Sequence, residues 1–428
     1  MLYEKMNAAE RQAELARLRA EYETLRALGL KLDMSRGKPC PAQLDLSEGL
    51  LTVLTTNADC KDPSTGGDTR NYGMPDGVPA LRQIFAELLG VPAEQLYLGC
   101  VSSLTLMFDT VMRCMVFGAG ANSEPWSAQQ ARLGKLKFLC PCPGYDRHFA
   151  ITETLGFELI PVPMLPTGPD MDAVEAITAG DPAVKGIWCV PKYSNPTGLT
   201  YSAETVERLA KMETAAPDFR IFWDNAYAIH DLYEEGDELA DIFALAAKYG
   251  NEDRVFLFSS FSKVTYAGGS VSVFGASPAN MAFAKKIISK QTICADKVNQ
   301  LRHLRFFGDA AGVRAHMKKH AAILRPKFEA VEAIFESELA PCGIGAWTKP
   351  KGGYFISLDL PEGTAKRTFA LCGEAGVKLT QVGATFPYGI DPKDGNLRIA
   401  PSFPSPEELS AAAKVLCTCA KIAYLEKE

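Results

Sequence analysis

Long apolar runs are missing from this sequence: nowhere in its 428 residues do about 18 apolar residues follow one another, the length a membrane-spanning helix needs. The first residues form a charged, helix-like segment without the apolar core of a signal peptide, so a cytoplasmic protein is expected. An excess of positive charge is missing too. Lys and Arg number 45 against 51 Asp and Glu, and the net charge of −6 argues against a broad basic surface for nucleic acid or anionic lipid. No CxxC occurs among the twelve cysteines, and the close pairs Cys140/Cys142 and Cys417/Cys419 are separated by one residue. They read as reduced core thiols rather than disulfides or metal ligands. His316 and His320 share a helix face but have no acid between them in the metalloprotease pattern, so no metal is expected. Internal repeats and low-complexity tracts are absent as well.

What remains is a chain that is 47% hydrophobic and 22% charged, enough for a large core in two or three structural units. Its most informative stretch runs from Arg254 to Gly275. Val255, Phe256, Leu257 and Phe258 form a continuous apolar run, as in a parallel strand covered on both faces. The pattern then breaks into Ser259, Ser260, Ser262, Lys263, Gly268 and Gly269 before Val271, Val273 and Phe274 resume a strand. A lysine at such a strand end is either an exposed side chain or a neutral amine that forms a Schiff base with a carbonyl cofactor.

The rest of the chain gives that lysine a setting. Residues 8 to 29 read as one amphipathic helix, with Leu15, Leu18, Tyr22, Leu25 and Leu28 on its stripe. Arg36, Gly37, Lys38 and Pro39 follow in a basic, sharply turning loop, either solvated or facing a ligand. A second turn-rich segment, Tyr72 to Gly77, leads into a helix from about Pro79. Gln95–Gly99 reads as a short strand, and Ser102 and Ser103 open an apolar helix through Phe117, where free N–H groups could meet an anion.

Strands and helices then alternate. Strands are expected at Leu136–Cys140, Phe157–Val162, Gly186–Val190, Arg220–Asp224 and Val255–Phe258, and helices near Asp172–Thr178, Ala203–Glu213 and Leu239–Lys248. That order predicts an α/β fold with a mostly parallel central sheet covered by helices. Ligands of such sheets sit beyond the carboxyl ends of the strands. Three strand ends carry polar chemistry: Asn195-Pro196-Thr197-Gly198, Asp224-Asn225-Ala226-Tyr227, and the Ser260/Ser262/Lys263 turn. From about Met281 to Phe335 the chain is helical with a break expected at Pro326, and Gly352 to Glu428 suggests a smaller α+β unit.

These motifs, together with Leu397-Arg398-Ile399-Ala400, resemble the fold-type I pyridoxal-phosphate-dependent aminotransferases, in the same order and across most of the chain. MSRGKP, CPCPGYDRHF and SSFSKVTYAGG look most like a divergent, mainly bacterial aspartate aminotransferase subgroup. The resemblance implies pyridoxal 5'-phosphate as cofactor, with Lys263 as its covalent holder and the proton-moving base. It implies Asp224 on the pyridine nitrogen, Tyr227 and Asn195 on the ring O3′, and Tyr145 stacked on the ring. Phosphate would be held by Ser260, Ser262, Ser102 and Ser103, with Tyr72 reaching across from a second subunit. Arg398 would clamp the substrate α-carboxylate, and the Asn195–Pro196 bond would be cis.

The same resemblance exposes two departures. Many relatives carry a phosphate-clasping arginine eight residues after the lysine, where this chain has Val271. No arginine near residues 290–300 matches the one that reads a distal carboxylate in better-studied relatives; Lys290 and Lys297 lie there, and Arg36 and Lys38 in the glycine loop of Gly37 are the better candidates. The implied molecule is a homodimer with a large domain of about residues 51–305 and a small one built from 1–50 and 306–428. Its implied reaction takes the amino group of aspartate to 2-oxoglutarate. Alanine, 2-aminoadipate or aromatic substrates, or lyase chemistry, are the alternatives. A DNA-binding sensor is disfavoured, because the region before Gly37 is too short for a winged helix and linker.

Overall fold

In the computed structural model, which describes residues 2–427, eight strands form one mixed sheet. They are β1 (Leu96–Leu98), β2 (Lys137–Cys142), β3 (Glu158–Leu165), β4 (Gly168–Pro169), β5 (Val184–Cys189), β6 (Arg220–Asp224), β7 (Val255–Ser260) and β8 (Ser272–Ala276), in the spatial order 1-8-7-6-5-2-3-4. The central pairs β7/β6, β6/β5, β5/β2 and β2/β3 are parallel, whereas β1, β4 and β8 pair antiparallel with their neighbours. All residues of β5 and β6 are buried, which is why these strands read as unbroken apolar or mixed runs rather than alternating ones. The strands expected from the sequence are all present, with ends that agree or shift by at most three residues.

A second, three-stranded antiparallel sheet joins β9 (Ala346–Trp347), β10 (Ile356–Asp359) and β11 (Asn396–Ile399). Both chain ends meet beside it. Helix α1 (Ala8–Ala27) packs along the C-terminal helix Pro406–Glu426, and the Tyr22 hydroxyl donates to the Leu371 carbonyl at 3.0 Å. Leu18 and Tyr22 supply the buried stripe of α1, whereas Leu28, expected on that stripe, caps the helix and is exposed. Leu32–Asp33 pairs in parallel with Val377–Lys378, and Ala400 N–H donates to the Met34 carbonyl. These bonds pin the Arg36–Lys38 loop beside the strand that carries Arg398.

One expectation fails. The chain does not break at Pro326 but continues through it in a single helix, Ala310–Glu338. The Pro326 ring lies on the exposed side, so its missing N–H leaves no buried carbonyl orphaned, while Leu324, Lys327, Phe328, Val331 and Phe335 are buried. Burial on that face offsets the roughly 3 kcal/mol that an interior proline costs. His316 and His320 lie buried on this helix with their Nε2 atoms 3.1 Å apart, and no metal-binding group occurs among the described residues. No helix there is long and apolar enough to cross a membrane.

Candidate active site

Because β2, β5, β6 and β7 run parallel, their carboxyl ends share one rim of the sheet, and the segments leaving them converge on a cleft of about 730 Å³. Asp224 is the last residue of β6, Lys263 follows β7 by three residues, Asn195 lies in the turn after β5, and Tyr145 lies just after β2. Ser102 and Ser103 arrive from the start of α2 (Ser103–Phe117), where the Ser102 hydroxyl caps the helix by accepting from Leu104 N–H at 3.1 Å. Tyr227, Ser260, Ser262 and Arg398 line the same cleft, as do Arg36 and Gly37 from the opposite edge.

Lys38 lies elsewhere, and Tyr72, expected to serve a second subunit, does not line the cleft of its own chain. The Lys38 ammonium sits 3.8 Å from the centre of the Phe403 ring and does not line the cleft. Tyr72 is exposed and also absent from the cleft wall within one chain. Lys297 is buried, donating to the Asn71 carbonyl at 2.7 Å, which ties the Tyr72 loop to a helix rather than serving the cleft. Val271 is a core residue. The cations of the cleft wall are Lys263, Arg36, Arg147, Lys378 and Arg398.

Burial makes the amine of the cleft easier to deprotonate, and the carboxylate near it is held in place. Burial pushes the Lys263 pKa down, with Asp224 opposing, and its Nζ lies 5.0 Å from the centre of the Tyr227 ring. The Tyr227 phenol is held well above its usual range, by burial first and then by Tyr145 and Asp224, so it stays protonated and can donate. Asp224 is buried, and its two oxygens differ. Oδ2 meets His148 Nε2 at 2.9 Å, while Oδ1 has no protein partner. A buried carboxylate oxygen without a donor is costly, so the site calls for one from outside the chain.

Arg398 is fixed in a similar way. Its Nη1 donates to Asp146 Oδ1 at 3.0 Å and to Asn195 Oδ1 at 3.2 Å, and its guanidinium lies 5.0 Å from the Phe355 ring centre. The Asn195–Pro196 bond is cis, as is Cys142–Pro143. Sequence reasoning missed His148, Asp146 and Arg147, which belong to one helix, α3 (Asp146–Thr154). His148 stacks on Trp188, ring centres 4.4 Å apart at 12°, and meets Tyr145 edge-on. The rule that polar residues just past parallel strands face the ligand applies equally to the stretch after β2, and would have found all three.

An arrangement of this kind suits pyridoxal 5'-phosphate. The orphaned Asp224 Oδ1 needs a donor, which a protonated pyridine nitrogen supplies, and Lys263, whose amine burial makes easier to deprotonate, is the side chain with which an aldehyde can condense.

Comparisons with known proteins agree. Residues 6–428 match the model of the family described as aspartate amino-transferase. The aspartate aminotransferase of Corynebacterium glutamicum is 49% identical over 409 residues, covering 96% of this chain and 93% of that one. The crystal structure of an aspartate transaminase from Corynebacterium glutamicum superposes with a TM-score of 0.95 at 47% identity, covering 100% of this chain and 99% of that chain. At the level of fold alone, LysN, the alpha-aminoadipate aminotransferase of Thermus thermophilus, solved with N-(5'-phosphopyridoxyl)-L-leucine, gives 0.71 at 23% identity over 92% and 93% of the two chains.

Proposed function

The chain belongs to the aspartate aminotransferase family, and from that premise we propose that this aminotransferase moves the amino group of L-aspartate to 2-oxoglutarate with pyridoxal 5'-phosphate as cofactor. The observation that carries the reading is one cleft containing a buried amine, a carboxylate with a free oxygen and a carboxylate-binding arginine.

When bound, the cofactor supplies an electron sink for the charge that develops at the substrate Cα. Lys263 would hold it covalently and, once released, take the Cα proton on Nζ and deliver it to the cofactor carbon C4′. Asp224 Oδ1 would accept from the pyridine nitrogen and keep its proton in place. Tyr227 and Asn195 would donate to the ring O3′, Tyr145 would cover the ring, and Ser260, Ser262, Ser102 and Ser103 would receive the phosphate. Arg398 would bind the α-carboxylate by a fork that lysine cannot copy.

Arg36, which lines the cleft, is the proposed reader of the distal carboxylate; Lys38, with its ammonium on Phe403, does not share that role. The reading further includes a cytoplasmic homodimer in which Tyr72 of each subunit serves the other's site. Within each chain it includes a large cofactor domain of about residues 51–305 and a small domain from the two ends.

The test is to add L-aspartate, and separately L-alanine, to cofactor-loaded protein without any oxo acid. Bleaching of the yellow colour by low aspartate, with one oxaloacetate formed per site, supports the assignment. An aspartate response no better than that of alanine would remove the dicarboxylate preference, and no response to either would point to lyase chemistry.

A further inference from the structure

Arg398 Nη1 carries two hydrogens, and two acceptors meet it: Asn195 Oδ1 at 3.2 Å and Asp146 Oδ1 at 3.0 Å. Of the remaining guanidinium donors, Nε has a long 3.4 Å contact to the Thr380 hydroxyl. An incoming carboxylate that takes the end-on fork of Nη1 and Nη2 must therefore displace one of the acceptors on Nη1. Asn195 is buried and neutral. Asp146 is the charged one, on a side chain about one-third exposed, whereas that of Arg398 is 9% exposed.

We propose that Asp146 is an internal competitor for the substrate carboxylate: it occupies Arg398 in the ligand-free cleft and must release it before substrate or dicarboxylate ligands bind fully. This rests on the reading of Arg398 as the α-carboxylate clamp. The placement serves both states. Asp146 is the first residue of α3, so the free N–H groups of that helix end support its charge when Arg398 is taken from it. Displacement is then tolerable, and it is not free. In the empty cleft the same contact keeps a largely buried guanidinium from standing without a counter-charge. Asp146 thus acts through Arg398 as a positioning residue, and its effect falls on binding rather than on proton movement at Cα.

The competing explanation is a purely local one, in which Asp146 stabilises the start of α3 and its contact with Arg398 has no consequence for ligands. The two differ in what Asp146→Asn does. That variant keeps the shape and removes the charge, and Asp146→Ala removes the contact altogether.

The experiment is calorimetric titration of the cofactor-loaded protein with succinate, a dicarboxylate that cannot react, for wild type, Asp146→Asn, Asp146→Ala, Arg398→Gln and the Asp146→Asn/Arg398→Gln double variant, alongside the thermal midpoint of each. Succinate should bind about three- to tenfold more tightly to both Asp146 variants. That gain should vanish in the Arg398→Gln background, because the effect passes through Arg398. Unchanged or weaker binding in the Asp146 variants, with a shifted midpoint, would overturn the proposal in favour of the local role. If Arg398→Gln alone leaves succinate binding unchanged, the clamp assignment fails and this proposal with it. If Arg398→Gln weakens binding while Asp146→Asn does not tighten it, only the competitor fails.

Discussion

His148 Nε2 lies 2.9 Å from Asp224 Oδ2, and the imidazole is clamped by stacking on Trp188, so the carboxylate is held by a side chain that cannot swing away. The bond fixes which oxygen of Asp224 remains open. Replacing His148 with Phe should keep the stack on Trp188 and the fold, yet leave Asp224 without its neighbour. A hydrogen bond to a charged group contributes about 1.5–3 kcal/mol, so kcat should fall by roughly 10- to 100-fold. Cofactor affinity, measured by equilibrium dialysis, should fall with it. Wild-type turnover and cofactor affinity in His148→Phe would show that Asp224 needs no such support.

Arg36 and Lys38 are two residues apart and have similar charge, but the structure separates them. Arg36 lines the cleft, whereas the Lys38 ammonium is engaged with Phe403. Arg36→Ala is therefore expected to lower the ratio of aspartate to alanine kcat/KM by about tenfold or more, the size expected when one charged hydrogen bond is removed. Lys38→Ala should leave that ratio unchanged. Rates on both amino acids for the two variants decide it, and a ratio that moves with Lys38 instead would reverse the assignment.

Much of this site is legible in the sequence, and the reason is topological. In a parallel sheet the ligand rim is set by strand direction, so Asn195, Asp224 and Lys263, each within a few residues of an apolar run, read as neighbours although they are dispersed along the chain. Asp146 and His148 fall under the same rule, four and six residues past the end of β2, but they open a helix, where polar residues read first as ordinary amphipathic packing. Lys38 is misplaced by sequence alone because a loop sequence states charge and not direction. The helix through Pro326 escapes for a related reason: local propensity predicts a break, while the burial that overrides it comes from residues distant in the chain.

Stability should fall with acid through buried histidines. Burial pushes His303 and His320 each down to about 4, and lowers His316 as well. An unfolded histidine titrates near 6.5, so between about pH 6.5 and 4 the unfolded chain binds protons that the folded one refuses. The unfolded state is then favoured as pH drops, by about 1.4 kcal/mol per pH unit for each such group once the pH is well below 6.5. His303 bonds the Thr265 hydroxyl at 2.9 Å and the Asn299 carbonyl at 2.8 Å, contacts that a glutamine can partly replace without taking up a proton. Urea midpoints from pH 7 to 4.5 should decline steeply for wild type and less steeply for His303→Gln. A wild-type midpoint that stays flat from pH 6.5 to 5 would contradict this account.

Gly37 connects the glycine loop to Arg398 through one ring. A Cβ on Gly37 would run into the Phe355 ring, against which the Arg398 guanidinium packs at 5.0 Å. Gly37→Ala must therefore displace either the loop or the ring, and overpacking of this kind costs about 1–3 kcal/mol. Because Phe355 touches the arginine assigned to the α-carboxylate, a group that every amino acid carries, KM should rise roughly tenfold for aspartate and alanine alike, with kcat changed less. That equal effect distinguishes Gly37→Ala from Arg36→Ala, whose effect is confined to the dicarboxylate. Steady-state kinetics on the two substrates measure both. A Gly37→Ala enzyme with normal KM values would mean that Phe355 can yield without disturbing Arg398.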